Sequence, residues 1–215
     1  MVRGLLLECW NILMEQDADT YRRLGCWLGQ FGASKERAIR GVEHVLSSLE
    51  QALARFDLPD LDAERDFWRR SYQEALELMG LPADLLEVVL ERWPYARFLR
   101  PTQEAPQLLA MKREGLVLGV LTNAPPSLPG VLGSLGLLEL TGACYTSSQL
   151  GIGKSDPLAF ELALQGLGLV PEETLYVDRD AERAEVAEAA GLQVCLVERE
   201  DDLVACILCA ARGYR

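Results

Sequence analysis

The chain has 215 residues, 49% hydrophobic and 25% charged, and its 33 acidic residues outnumber 21 basic ones to leave a net charge of −12. This composition excludes a disordered or collagen-like chain and leaves room for one large domain or a domain with an insertion. A negative field repels phosphate backbones and anionic lipid, so neither nucleic acid nor a membrane surface is expected as a partner, and an anionic ligand needs a local positive site. Six cysteines, at positions 9, 26, 144, 195, 206 and 209, show no zinc-ligand spacing in a chain too long to need disulfide staples. They read as reduced core thiols of a cytoplasmic protein. Glu8 interrupts the apolar start and no small-residue cleavage site follows, so a secretory signal is not expected.

In chain order, residues 2–7 (VRGLLL) form a short apolar run that reads as a buried strand, and the chemistry changes abruptly at Glu8-Cys9-Trp10-Asn11. From Asp17 to about Trp93 the periodicity is helical, in segments near 18–31, 34–56, 62–79 and 83–92, with Ser34, Asp62 and Pro82-Ala83-Asp84 as starts and no strand signal. After Pro94 and Pro101 the pattern alternates. A helix over 103–114 ends at Gly115 and leads into an apolar strand at 116–121, then the turn-rich stretch Thr122 to Pro129. A helix near 128–136, a strand near 142–145, a helix at 156–167, a strand at 174–177, a helix at 180–190 and a strand at 192–197 complete the series. Cys206 and Cys209 lie in the apolar run Leu203 to Ala211, on one helix face, and are expected to be buried.

Strands alternating with crossover helices specify an open parallel α/β sheet with right-handed connections. The predicted division is an α/β core of residues 1–14 and 97–215 with an all-helical insertion, 15–96, between its first and second strands. Sites in such sheets lie outside the carboxyl ends of the strands. The residues to inspect are therefore Glu8 to Asn11, Thr122-Asn123, Ser147 to Lys154 and Asp178 to Asp180.

Each has an ordinary alternative. Glu8 could cap a helix, Thr122-Asn123 precedes Pro125-Pro126 as turn residues do, Asp178 could serve a helix dipole, and a random lysine is a solvated one. Lys154, however, is one of three lysines, with 35 and 112, in a chain that otherwise uses arginine, and a compact ammonium suits a cleft. Trp10 reads as filling rather than ligand stacking. His44 is the only histidine, so a histidine triad or multi-histidine metal site is excluded. Trp27, Trp68, Trp93, Tyr21, Tyr72 and Phe67 read as packing residues of the helical block; Arg22-Arg23 and Arg69-Arg70 are candidates for anion contacts over the cleft, with solvated helix faces the favoured reading.

From Leu118 to Asp178 the stretches GVLTNAP and GIGKSDPLAFELALQGLGLVPEETLYVD, with GLLLECWNIL before and AEAAGLQVCLV after, resemble the second, third, fourth and first motifs of the haloacid dehalogenase (HAD) superfamily in its helical-cap subtype. The resemblance implies a Rossmann-like α/β core with the helical block as a cap. It also implies an aspartate nucleophile and an aspartate acid/base, where this chain has Glu8 and Trp10. Ile12 stands at the motif's threonine, Asn11 at its glycine, Val177 at the glycine before Asp178, and Arg183 at a second acidic position.

Thr122, Asn123 and Lys154 match the second and third motifs. The resemblance implies Mg²⁺ as cofactor, held by Glu8, the backbone carbonyl of Trp10 and Asp178, with Asp180 as a further ligand-binding residue and Glu8, Trp10, Thr122 and Lys154 in the catalytic positions. An added methylene at the nucleophile and a lost general acid each cost orders of magnitude in rate, about 10²-fold or more. The expectation is thus a HAD-like protein, inactive or weakly active, that retains a cleft for a small anionic or phosphorylated ligand. The alternatives are a working Mg²⁺-dependent small-molecule phosphatase, then a 2-haloacid dehalogenase, then a structural subunit. A monomer or a homodimer is expected.

Overall fold

The computed structural model describes residues 2–113, 115–137, 139, 143–198 and 202–211. The end of the helix predicted to 114 and the start of the strand predicted at 142 lie outside the described residues. The chain divides into two compact units, Met1–Glu15 with Pro101–Arg215, and Gln16–Arg100. The chain thus divides at 15/16 and 100/101, where the sequence pattern alone gave 14/15 and 96/97.

The first unit is built on one parallel sheet. Strand β1 (Gly4–Leu7) is buried along its whole length, as a central parallel strand covered on both faces must be. Short β2 (Met14–Gln16) and β3 (Leu99–Pro101) form a separate two-stranded sheet; at three residues each they are too short to carry a period-two signal, and the sequence reading missed them. After α5 (Ala105–Arg113) come β4 (Val117–Thr122), α6 (Leu128–Ser134), β5 (Cys144–Thr146), the single turn α7 (Ser147–Leu150), and α8 (Pro157–Leu167). Strand β6 (Thr174–Asp178), α9 (Ala181–Ala189), β7 (Gln193–Leu196) and α10 (Leu203–Ala211) follow. The strand order is β5-β4-β1-β6-β7.

This order has a functional consequence. The chain builds outward from β1 through β4 to β5, then jumps across β1 to β6, so loops leaving β4 and β6 diverge on either side of the central strand. Leu7 pairs with both Val120 and Val177, which brings the carboxyl ends of β1, β4 and β6 to one edge. Behind that edge, Leu6, Leu121, Phe160, Leu164 and Tyr176 form a buried cluster in which Phe160 and Tyr176 meet edge to face at 5.0 Å.

The second unit is helical: α1 (Ala18–Gly29), α2 (Lys35–Arg55), α3 (Leu61–Met79) and α4 (Leu86–Arg92), with two short 3₁₀ turns at 83–85 and 95–98. Asp17, Ser34 and Asp60 accept hydrogen bonds from first-turn amides and so satisfy donors that the helix cannot. The cap of α3 is Asp60 rather than the predicted Asp62, which lies within its first turn. Buried Leu24, Trp27, Leu28, Leu76, Trp93 and Phe98 form its main core. No helix among the described residues is long and apolar enough to cross a membrane.

The cysteines depart from expectation. Cys9, Cys144 and Cys195 are buried, but Cys26 and Cys209 are exposed and Cys206 is half-buried. The apolar run of α10 puts Leu203 and Ile207 inward, and residues two positions beyond an i,i+4 pair turn outward. Burial, then the charge of Glu8, pushes the Cys9 thiol well up, and the same two causes push Cys144 up to about 12. Iodoacetamide at pH 8 should therefore modify Cys26 and Cys209 in the native protein and reach Cys9 and Cys144 only in denaturant, as peptide mass spectrometry would show; native labelling of Cys9 would contradict this packing.

Candidate active site

The predicted strand-end residues converge. Glu8 extends the β1–β6 pairing by donating its amide to Val177 O at 2.9 Å. The chain then turns sharply: Asn11 adopts φ +58°, a left-handed conformation that asparagine tolerates better than most residues. The turn leaves the amides of Cys9 and Trp10 facing back. Both donate to Glu8 Oε1, at 2.6 and 3.0 Å. Thr122, at the end of β4 and fully buried, donates its hydroxyl to the same oxygen at 2.5 Å.

Lys154 enters from the loop before α8. Its amide donates to Asn123 Oδ1 at 3.1 Å, and Ala124 N donates to Ser147 Oγ at 3.2 Å, so the loop after β4 holds the lysine segment in place. The ammonium is 3% exposed. Its three N–H groups meet three acceptors: Glu8 Oε2, Asp178 Oδ2 at 2.7 Å and the Tyr176 hydroxyl at 2.9 Å. Tyr176 in turn donates to Asp178 Oδ2, while Asp178 Oδ1 accepts from the amides of Arg179 and Asp180 at 2.6 and 3.1 Å. Arg179 Nε donates to Asn11 O at 3.0 Å, which ties the loop after β6 to the loop after β1.

Electrostatically, two buried carboxylates share one buried ammonium. Burial alone would push Lys154 down, but Glu8 and then Asp178 outweigh it and hold the ammonium above its ordinary 10.5. Burial, then the two carboxylates, drives the Tyr176 phenol strongly upward, so it stays a neutral donor. Trp10 is half-buried at the turn. Asp180 is the exposed N-cap of α9, accepting from Glu182 N and Arg183 N; among the described residues no hydrogen bond joins its carboxylate to Glu8 or Lys154. Arg183 lies 3.9 Å from Asp180 and has no such bond to the site carboxylates either.

Sequence reasoning missed Tyr176, although the signal was present: in a strand, residues two apart share a face, so position 176 had to point as Asp178 does. It also missed Arg179, for which no pattern existed.

The Mg²⁺ set implied by resemblance is Glu8, Trp10 O and Asp178. Among the described residues no group of three His, Cys, Asp or Glu side chains could hold a metal, and each oxygen of Glu8 and Asp178 already accepts a protein hydrogen bond. Hard divalent cations need free oxygen ligands. The residues as placed do not fit a ready divalent site.

Comparison with known proteins places this geometry. The haloacid dehalogenase-like hydrolase family matches residues 15–191. The chain belongs to this family. It is 34% identical to a phosphoserine phosphatase of Thermus thermophilus, over 71% of the chain and 65% of that protein. It is 31% identical to (S)-2-haloacid dehalogenase 2 of a Pseudomonas species, over 47% of the chain and 45% of that protein. The chain thus spans about two-thirds or less of the length of these relatives. The L-2-haloacid dehalogenase of Xanthobacter autotrophicus superposes with a TM-score of 0.61 over 94% of the chain and 80% of the relative at 22% identity, a likeness of fold.

Removing the ammonium strands two buried carboxylates. Lys154→Met should cost about 3–5 kcal/mol, and adding Glu8→Gln should recover part of that; urea unfolding would measure both. Because the lysine is raised when folded, its contribution is complete below pH 10.5 and falls away as the pH climbs through the folded value. Wild-type stability attributable to Lys154 should thus persist at pH 9 and fade only at strongly alkaline pH.

Proposed function

We propose that this chain is a HAD hydrolase whose strand-end site is catalytically impaired and keeps its Thr122, Asn123 and Lys154 framework for a small anionic or phosphorylated ligand, with the helical unit serving as the cap. The observation that carries the reading is the saturation of the donors. The Lys154 ammonium directs its three N–H groups to Glu8, Asp178 and Tyr176, and the Thr122 hydroxyl is taken by Glu8. An incoming anion has to compete with Glu8 for both.

The chemistry points the same way. In-line attack on phosphorus requires a carboxylate oxygen aimed at the substrate and an acid for the leaving group. Glu8 Oε1 accepts three hydrogen bonds and Oε2 is paired with Lys154, which lowers the energy of the ground state relative to attack. Position 10 offers an indole, whose N–H is a donor but not an acid near neutral pH. The resemblance's Mg²⁺ has no step in this account.

A second reading, a functional small-molecule phosphatase, is favoured by the identity to the Thermus thermophilus phosphoserine phosphatase; Glu8 is then the nucleophile and Lys154 orients it. The matches to (S)-2-haloacid dehalogenases support dehalogenation less, since those alignments cover under half of the chain.

Phenyl phosphate hydrolysis by wild type, Glu8→Ala and the double variant Glu8→Asp/Trp10→Asp, with and without added Mg²⁺, separates these readings. The impaired-site reading expects negligible wild-type turnover, and it expects Glu8→Ala to bind inorganic phosphate more tightly than wild type, because Lys154 and Thr122 are released. Robust wild-type turnover that vanishes in Glu8→Ala would establish the second reading instead.

A further inference from the structure

The helical unit holds a concavity that the strand-end chemistry does not use. Arg22 and Arg23 approach it from α1, Arg92 and Arg97 from the end of α4 and the turn after it, and Trp27 and Trp93 form part of its wall. Its volume is about 380 Å³, within the range of small-molecule sites. No carboxylate lines it. Arg22 pairs with Asp19 at 2.9 Å, but among the described residues Arg23, Arg92 and Arg97 have no ion pair. By contrast Arg69, one of the two other arginines expected on solvated faces, is paired with Glu87, and Arg70 donates to Asp66 O at 3.4 Å.

Two of the guanidiniums are held in place. Arg92 lies over the Trp27 ring at 5.8 Å and Arg97 over the Trp93 ring at 5.2 Å, and Arg97 also donates to Arg92 O at 3.1 Å. A guanidinium resting on an aromatic face keeps its N–H edge available. Trp93 is buried and its Nε1 has no hydrogen-bond partner among the described residues. In a chain of net charge −12, two segments some seventy positions apart have brought four of the 21 basic residues together, and only Arg22 among them is ion-paired.

We propose that this concavity binds a small organic phosphomonoester, the phosphoryl group taken by the edges of Arg92, Arg97 and Arg23 and the organic part lying in the remaining volume. Three unpaired guanidiniums match a phosphate dianion better than a monoanionic carboxylate, and their planar forks suit phosphate oxygens. The volume exceeds what a bare phosphate needs, since a water takes about 30 Å³. The inference stands apart from the reading of the Glu8 site.

Isothermal titration of the whole chain with phenyl phosphate, inorganic phosphate and benzoate tests it. Phenyl phosphate should bind saturably and weaken with added salt. The double variant Arg92→Gln/Arg97→Gln should lose at least about tenfold in affinity while Arg69→Gln, whose guanidinium pairs with Glu87 and does not line the concavity, leaves it unchanged. Should the double variant fail to fold, Arg23→Gln, which removes an exposed side chain without an ion pair, should still weaken binding several-fold. No saturable binding at millimolar phenyl phosphate, an affinity indifferent to both Arg92→Gln/Arg97→Gln and Arg23→Gln, or benzoate binding as tightly as phenyl phosphate would each overturn the proposal.

Discussion

The site stands or falls on one ammonium between two buried carboxylates. Glu8, Lys154 and Asp178 come from three separate segments, and none is tolerable in an apolar interior alone, because an isolated buried charge is far more expensive than the pair that neutralises it. The polypeptide has therefore to hold β1, β6 and the loop before α8 in fixed relation. The means are visible: the Leu7 register with both neighbours, the Asn123 carbonyl on the Lys154 amide, and the Arg179 contact to Asn11 O. Two carboxylates against one ammonium leave the cluster one negative charge in excess, which the amides of Cys9, Trp10, Arg179 and Asp180 and two hydroxyl donors spread over neutral dipoles.

Much of this was legible in the sequence. An apolar run broken by Glu8, a second run ending at Thr122 and a third ending at Asp178 each place a polar residue at a strand terminus, and parallel topology does the rest. The scarcity of lysine marked Lys154. What failed to show was set by packing. The pairing of β2 with β3 involves three-residue strands without alternation. The outward turn of Cys26 and Cys209 depends on which face of α1 and α10 finds a core, and the capping role of Asp180 depends on where α9 begins. The convergence of Arg22 and Arg23 with Arg92 and Arg97 needs the helical unit folded, since a lone helix gives those residues only solvent.

The helical unit treats charge oppositely. In the α/β unit a cation is enclosed and fully neutralised; in the helical unit two exposed arginines, Arg92 and Arg97, rest on tryptophan rings. Lysine and arginine are suited to these two tasks. A point charge with three donors fits a three-acceptor cavity, while a weakly hydrated plane can lie on an indole and still present its edge. The chain's preference for arginine elsewhere makes the single enclosed lysine chemically meaningful.

The behaviour of the glutamate at position 8 is best understood through the contacts of its two oxygens. Asp178, with one methylene at the end of β6, turns its carboxylate back onto the amides of Arg179 and Asp180. Glu8, with a second methylene, turns back in the same way, and its Oε1 collects the amides of the next two residues and the Thr122 hydroxyl while Oε2 meets Lys154. Each charge-assisted hydrogen bond stabilises the resting carboxylate by about 1.5–3 kcal/mol, so a ligand that needs the Glu8 oxygens has to displace these partners. The Glu8 carboxylate is thus fully engaged within the protein. On this argument the shape of the turn at Asn11, which presents those two amides, governs the behaviour of Glu8 as strongly as the residue's own chemistry does.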